Sequence, residues 1–169
     1  ASAPGVTVPP EQRSIGMVFQ DYALFPHLTI SENIAFGLKK MPAVDRKVQV
    51  EHLLDATGLR KMAERYPHEL SEGVCQKVMI AMAIARTPKL LIADEPTTAL
   101  ESTTKAQVFR LLKSLNQLKN MSILMISHEL EEIAHWSHGI HVLYCGQMVE
   151  AGPTHKIFSQ PRHPYTQAL

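Results

Sequence analysis

Residues Leu90 to Leu100 read LLIADEPTTAL. The stretch opens on an apolar run, Leu90-Leu91-Ile92-Ala93, and closes on two acids, Asp94 and Glu95, followed by Pro96. Such a run predicts a short strand buried on both faces of a parallel sheet. Pro96 has no N–H to continue a ladder, so the strand should stop at the acids. Two carboxylates then stand at the carboxyl end of a sheet, where open α/β folds place their ligands. One carboxylate can hold Mg²⁺, directly or through water, while its neighbour activates a water for attack on a phosphate. For the string taken alone, an acidic turn that merely ends a strand is the alternative.

Two further apolar runs share the pattern. Ile15 to Phe19, IGMVF, predicts a strand and is followed directly by Gln20. Met121 to Ile126, MSILMI, predicts another and is followed by Ser127 and His128. Each puts a polar group at a strand end. Gln20 is either a turn residue or a functional amide, and His128 is either structural or a reader of phosphate. Leu70-Ser71-Glu72-Gly73 precedes a predicted helix from about Val74 to Ala85, whose VMIAMAIA core is apolar nearly all round and so reads as buried. Ser71 and Gly73 at its start offer a hydroxyl, close approach and free helix-start N–H groups, which suit an anion. A plain serine N-cap is the other reading.

Between the first two strands, Asp21 to Tyr66 reads as a mainly helical insertion. Thr29 with Glu32 fits a capping box and starts a helix near Ile30. Asp45 to Leu59 predicts a second helix, with Val48, Leu53 and Leu54 on its apolar side, and Arg60 to Arg65 a further helical piece. Tyr22, Leu24 and Phe25 lie in the loop before the first helix, as core plugs or as a docking surface. Further on, Val108, Leu111, Leu112, Leu115 and Leu118 form one apolar stripe on a helix from Thr103 to Leu118. A helix from Glu129 to about Ser137 should turn Ile133 and Trp136 inward. A hairpin across Gly146 and a tail with one helical turn at His155 to Phe158 follow.

Composition narrows the classes. At 45% hydrophobic and 20% charged, 169 residues suffice for one sizeable core. A net charge of +1 leaves no case for nucleic acid as a partner. The two cysteines, Cys75 and Cys145, suggest no disulfide framework, and no apolar run nears the roughly 20 residues of a membrane span. Residues Ala1 to Pro10 read as a loop or frayed start and lack the marks of a signal peptide. Glu132 and His135 form an isolated E-x-x-H, and no H-E-x-x-H occurs.

In order, Gln20 after a strand, LSEG before a buried helix, LLIADEP and ILMISH resemble the ATPase subunit of an ABC transporter. The resemblance implies an α/β fold, a partial P-loop NTPase sheet with a helical signature subdomain. It implies residues 1–20 as partial core with the Q-loop, 21–73 as the helical subdomain, 74–152 as the remaining core and 153–169 as a tail. It implies ATP and Mg²⁺ as cofactors. Asp94 would hold Mg²⁺ through water, Gln20 would touch Mg²⁺ and the attacking water, Glu95 would be the general base, and His128 would contact the γ-phosphate. Ser71 and Gly73 would bind the ATP of a second ATPase subunit across a head-to-tail dimer. Thr98 to Glu101 would be the D-loop. Transmembrane permease subunits would complete the assembly at the cytoplasmic face of the inner membrane.

The chain also departs from that family. Its signature reads Leu70-Ser71-Glu72-Gly73-Val74 where LSGGQ is usual, and its D-loop ends in Glu101 instead of Asp. No G-x-x-x-x-G-K-[ST] phosphate loop occurs in the sequence, which suggests a fragment or a shortened relative. The segment PPEQRSIGMVFQDYALFPHLTISENIAFGL is similar to the iron, polyamine and sugar importer branch. From LSEGVCQKVMIAMAIA to HPYTQAL the chain is similar to the peptide branch, including antimicrobial-peptide uptake. Peptide import is therefore the expectation, with an iron- or polyamine-type importer ATPase or a remnant without ATP turnover as alternatives.

Overall fold

The computed structural model describes residues 8–9, 12–129 and 133–169. Most of the loop expected at Ala1 to Pro10 and the middle of the helix expected after His128, with Glu132, lie outside them. The chain divides into two compact units, Ala1–Ile126 and Ser127–Leu169.

The first unit holds three parallel strands, β1 (Ile15–Val18), β2 (Leu90–Asp94) and β3 (Ser122–Ile126), in the order β1-β2-β3. The central strand is the LLIAD run, and it stops immediately before Glu95 and Pro96. Its register pairs Val18 with Ala93, and Asp94 with Ile126. β1 ends one residue earlier than expected, leaving Phe19 beyond the ladder and about half exposed.

Helices α1 (Ile30–Phe36) and α2 (Ala43–Ala56) lie between β1 and β2 in sequence. α3 (Glu72–Ile84) leads into β2, and α4 (Ser102–Lys119) joins β2 to β3. Val18, Leu91 and Ala93 share one core with Val78, Ile80, Ala81 and Ile84 of α3 and with Val108, Leu112 and Leu115 of α4. The expectation that β2 is buried on both faces fails. Leu90 and Ile92 are half-buried, and on the same face Ile15, Met17, Leu124 and Ile126 are 40% to 50% exposed. The reason is that the helices of this core pack on the Val18–Leu91–Ala93 face.

Other expectations are corrected by packing. On α2, Val50 is buried in place of Val48, which is 62% exposed. On α4, Phe109 is buried and Leu118, at the last turn, is 76% exposed. The α4 stripe therefore rotates off the core before the helix ends at left-handed Asn120. Of Arg60 to Arg65, only Arg60–Met62 is helical, as a 3₁₀ turn.

The capping box at Thr29 is present. The Thr29 N–H donates to Glu32 Oε2 at 2.8 Å, and Thr29 Oγ1 accepts from the Glu32 N–H at 3.3 Å. Asn33, fully buried one residue later, organises the preceding loop. Its Oδ1 accepts from the Phe25 N–H at 2.9 Å, and its Nδ2 lies within 3.1 Å of the Phe25, Leu28 and Thr29 carbonyls. Replacing it by Leu would leave those buried groups without their partner, at about 1–3 kcal/mol for a lost buried partner. Urea unfolding of Asn33→Leu is expected to show a loss of about 3 kcal/mol. A loss below about 0.5 kcal/mol would show that water replaces the amide.

The second unit contains β4 (Gly139–Tyr144) and β5 (Gln147–Pro153), an antiparallel hairpin, and the short helices α5 (Thr154–Ser159) and α6 (Pro164–Ala168). Cys145 and Gly146 both have positive φ, 48° and 77°, as a two-residue type I′ turn requires. Ile140, Val142 and Ile157 form its core, with Ile133 packed against them. The tail helix α6 was not expected, although Pro164 at its first turn and His163 at the N-cap are ordinary start signals. Glu150 ties it down by accepting the Arg162 and His163 N–H groups, each at 3.0 Å. Those two donors, His163 first, hold its carboxyl below the usual range.

Candidate functional site

The carboxyl end of the first unit's sheet gathers several of the expected residues. Asp94 ends β2 half-buried, and Gln20 stands exposed two residues past β1. Both line one cleft of about 390 Å³, together with Phe19, Asp21 and Ala23. β1 and β2 are adjacent and parallel, so the groups that follow them emerge side by side. A carboxylate and an amide carbonyl on one cleft form a hard-oxygen donor pair. Mg²⁺ favours such donors when substrate phosphates and water complete its shell. Among the described residues no group of three or more His, Cys, Asp or Glu converges, so no all-protein metal cage competes with this pair.

Glu95 follows Asp94 with φ of 45°, in the left-handed region. A non-glycine residue there costs on the order of 1 kcal/mol or more and persists only where surrounding structure holds it. Its N–H donates to the Ile126 carbonyl at 2.9 Å, anchoring it to the end of β3. Its Oε2 accepts from Thr98 Oγ1 at 2.9 Å. Ala99 is also left-handed, at φ 66°, so two strained residues bracket the turn.

Ser71 and Gly73 lie elsewhere in this unit, at the start of α3, and are not among the residues lining the cleft. Ser71 is exposed and occupies the N-cap position, as the plainer reading expected, but its hydroxyl makes no capping hydrogen bond. Gly73 is buried, and a Cβ there would sit 2.3 Å from Thr104 Cγ2 on α4. Any larger residue at this position would therefore have to displace the Thr104 side chain. Glu72 is exposed. Burial first, and then the Glu72 carboxylate, push the Tyr22 hydroxyl above its ordinary range. Of the loop aromatics and aliphatics, Leu24 packs on the core and Phe25 lies tilted against Phe36, with ring centroids 4.1 Å apart. Tyr22 remains 37% exposed.

His128 belongs to the second unit and is exposed. The residues on either side of it are linked, the Glu129 N–H donating to Ser127 Oγ at 3.0 Å.

The family model for the ABC transporter matches residues 5–98, more than half of the 169. This chain belongs to the ABC transporter family. The match takes in Gln20, Ser71, Gly73, Asp94, Glu95 and Thr98 and ends before His128. Over 134 residues the ABC chain is 49% identical to the peptide transport system ATP-binding protein SapD of Escherichia coli O6:H1. That alignment covers 79% of this chain and 39% of SapD. Over 163 residues it is 47% identical to the dipeptide transport ATP-binding protein DppD of Escherichia coli K12, covering 92% of this chain and 50% of DppD. The ABC chain thus spans half or less of the length of these curated relatives. The solved structure of cbiO1 from Clostridium perfringens, part of the ABC transporter complex cbiONQ, superposes with a TM-score of 0.82 at 27% identity. It covers 87% of this chain and 60% of cbiO1, and it shares the α/β fold expected from the sequence.

Two further polar residues of this ABC chain stand out in the structure. The family resemblance assigns Thr98 only to the D-loop, although an acceptor three residues before a threonine in a tight turn is a readable signal. Gln76 is buried on α3, and its Nε2 has no hydrogen-bond partner among the described residues. Nothing in a helical run of mixed residues marks such a burial. Among the described residues no helix is long and apolar enough to cross a membrane.

Proposed function

We propose that the chain supplies ATP-binding and ATP-hydrolysing elements to a peptide-importing ABC transporter. The observation that carries this reading is the convergence of Gln20 and Asp94 on one cleft at the carboxyl end of a parallel sheet, with Glu95 fixed beside it. The names of SapD and DppD support peptide as the cargo.

In this reading Asp94 would hold Mg²⁺ through water and Gln20 would contribute its amide oxygen. Mg²⁺ would neutralise phosphate charge, which is most of what phosphoryl transfer asks of a metal. Glu95 takes the proton of the attacking water. His128 contacts the γ-phosphate, and the Ser71 hydroxyl with the N–H groups about Gly73 meets the ATP of a second ATPase subunit in a head-to-tail dimer. Permease subunits hold the pair at the cytoplasmic face of the inner membrane.

The test is metal dependence. In the intact protein, Asp94→Asn is expected to raise the Mg²⁺ concentration for half-maximal ATP turnover by about 10- to 100-fold, the usual cost of altering a water-mediated partner. Titration of Mn²⁺ in the presence of ATP should show the same weakening without reliance on turnover. Unchanged Mn²⁺ affinity and unchanged Mg²⁺ dependence would remove Asp94 from the metal site.

A further inference from the structure

We propose that Thr98 is a positioning residue for the Glu95 carboxylate. The inference rests on reading Glu95 as the general base and adds how its side chain is aimed.

Glu95 leaves the sheet in a left-handed conformation and Pro96 follows, so its backbone is set by two constraints. The third is the bond to the end of β3, from the Glu95 N–H to the Ile126 carbonyl at 2.9 Å. These fix where the side chain starts but not where it ends, because a glutamate has three rotatable side-chain bonds. Thr98 restricts that freedom. Its N–H donates to the Glu95 carbonyl at 3.3 Å, closing the turn, and its Oγ1 donates to Glu95 Oε2 at 2.9 Å. Thr98 is itself half-buried and β-branched, so its own χ1 has few choices. Buried Thr97 and Leu100 flank it, and the Leu100 N–H donates to the Thr97 carbonyl at 3.1 Å. The hydroxyl therefore sits on a rigid support and holds one carboxylate oxygen.

A base must reach the proton it abstracts in a narrow geometry, and misplacement by about 1 Å can cost 100-fold. Holding one oxygen narrows the orientations the carboxylate samples before substrate arrives. The bond costs little, because a hydroxyl donated to a carboxylate replaces a water that would otherwise do the same.

The experiment compares ATP turnover of the intact protein with Thr98→Val, Thr98→Ser and Glu95→Gln. Thr98→Val keeps the branched shape and loses the hydroxyl. It should lower kcat about 10- to 100-fold with KM for ATP within about twofold. Thr98→Ser restores the donor and should recover kcat to within about threefold of the parent. A residue that only stabilises the turn would lower the melting temperature in Thr98→Val and leave kcat at 25 °C unchanged, and that result overturns the proposal. So does a loss of kcat that serine fails to rescue, or an effect confined to KM. If Thr98→Val does not fold, Thr98→Ala carries the same expectations. Turnover by Glu95→Gln at the parental rate overturns the base assignment itself. Inactive Glu95→Gln alongside fully active Thr98→Val removes only the positioning role.

Discussion

Glu95→Gln is expected to lower ATP turnover of the intact protein by about 10²- to 10⁴-fold, the range that a general base contributes. The change is close to isosteric. A glutamine at this position keeps an oxygen to accept from Thr98 Oγ1, and its backbone bond to Ile126 is untouched. What it loses is the ability to take a proton. Asp94, whose carboxylate lines the cleft with Gln20, is unaltered, so metal and nucleotide affinity should stay within a few-fold of the parent. ATP-driven association with a second ATPase subunit should likewise persist. Phosphate release measures the first expectation and nucleotide titration the second. A kcat within about fivefold of the parent would mean that another group moves the proton. Loss of nucleotide binding in step with turnover would mean that the turn had collapsed. The left-handed backbone at Glu95 makes that outcome worth separating from loss of the base.

Gly16→Val is expected to destabilise the fold strongly. Gly16 sits in β1 opposite Leu91, and a Cβ there would lie 2.4 Å from the Ala83 carbonyl oxygen of α3. It would also lie 3.1 Å from Pro88 Cγ. The Ala83 oxygen is backbone and cannot rotate aside, so helix or strand must shift. Overpacking a core costs about 1–3 kcal/mol and sometimes more. Restricting the unfolded chain by replacing glycine returns only about 0.4–1 kcal/mol. The clash therefore wins, and even Gly16→Ala should destabilise. For Gly16→Val a loss of at least about 3 kcal/mol in urea unfolding is expected. Because α3 begins at the signature residues and β1 leads to Gln20, the displacement should also weaken nucleotide binding. An unfolding free energy within about 0.5 kcal/mol of the parent would show that α3 does not rest on β1 in solution.

These two residues illustrate how unevenly the chain could be read from its letters. Glu95 was visible because an apolar run, two acids and a proline have few physical solutions. Gly16 was not, since one glycine inside IGMVF looks like a weak spot in a strand. Only the helix crossing above it shows the need for a bare Cα. Gly73 repeats the lesson. Local sequence points only to its closeness to an anion, whereas in the fold a side chain there would also have to displace the Thr104 methyl on the neighbouring helix. Asn33 stood unremarked inside a capping-box helix, yet its burial and its four backbone partners make it the organiser of the Phe25–Thr29 loop. Val48 and Leu118 failed in the opposite sense. Apolar spacing placed them inward, but helix ends and partner elements decide how far a buried stripe extends.

The sequence by itself determined the three parallel strands, the helical insertion after the first of them, and the family. It did so because strand runs, caps and the LSEG, ADEP and ISH segments are local patterns whose physics lies within a few residues. Tertiary structure alone decided that Gln20 and Asp94 share a cleft, since that depends on β1 lying beside β2 across more than seventy residues of chain. It alone decided that the sheet's helices cover the Val18–Leu91–Ala93 face. And it alone turned the Thr98 hydroxyl onto Glu95, because a hydrogen bond is set by where a strained turn places two side chains.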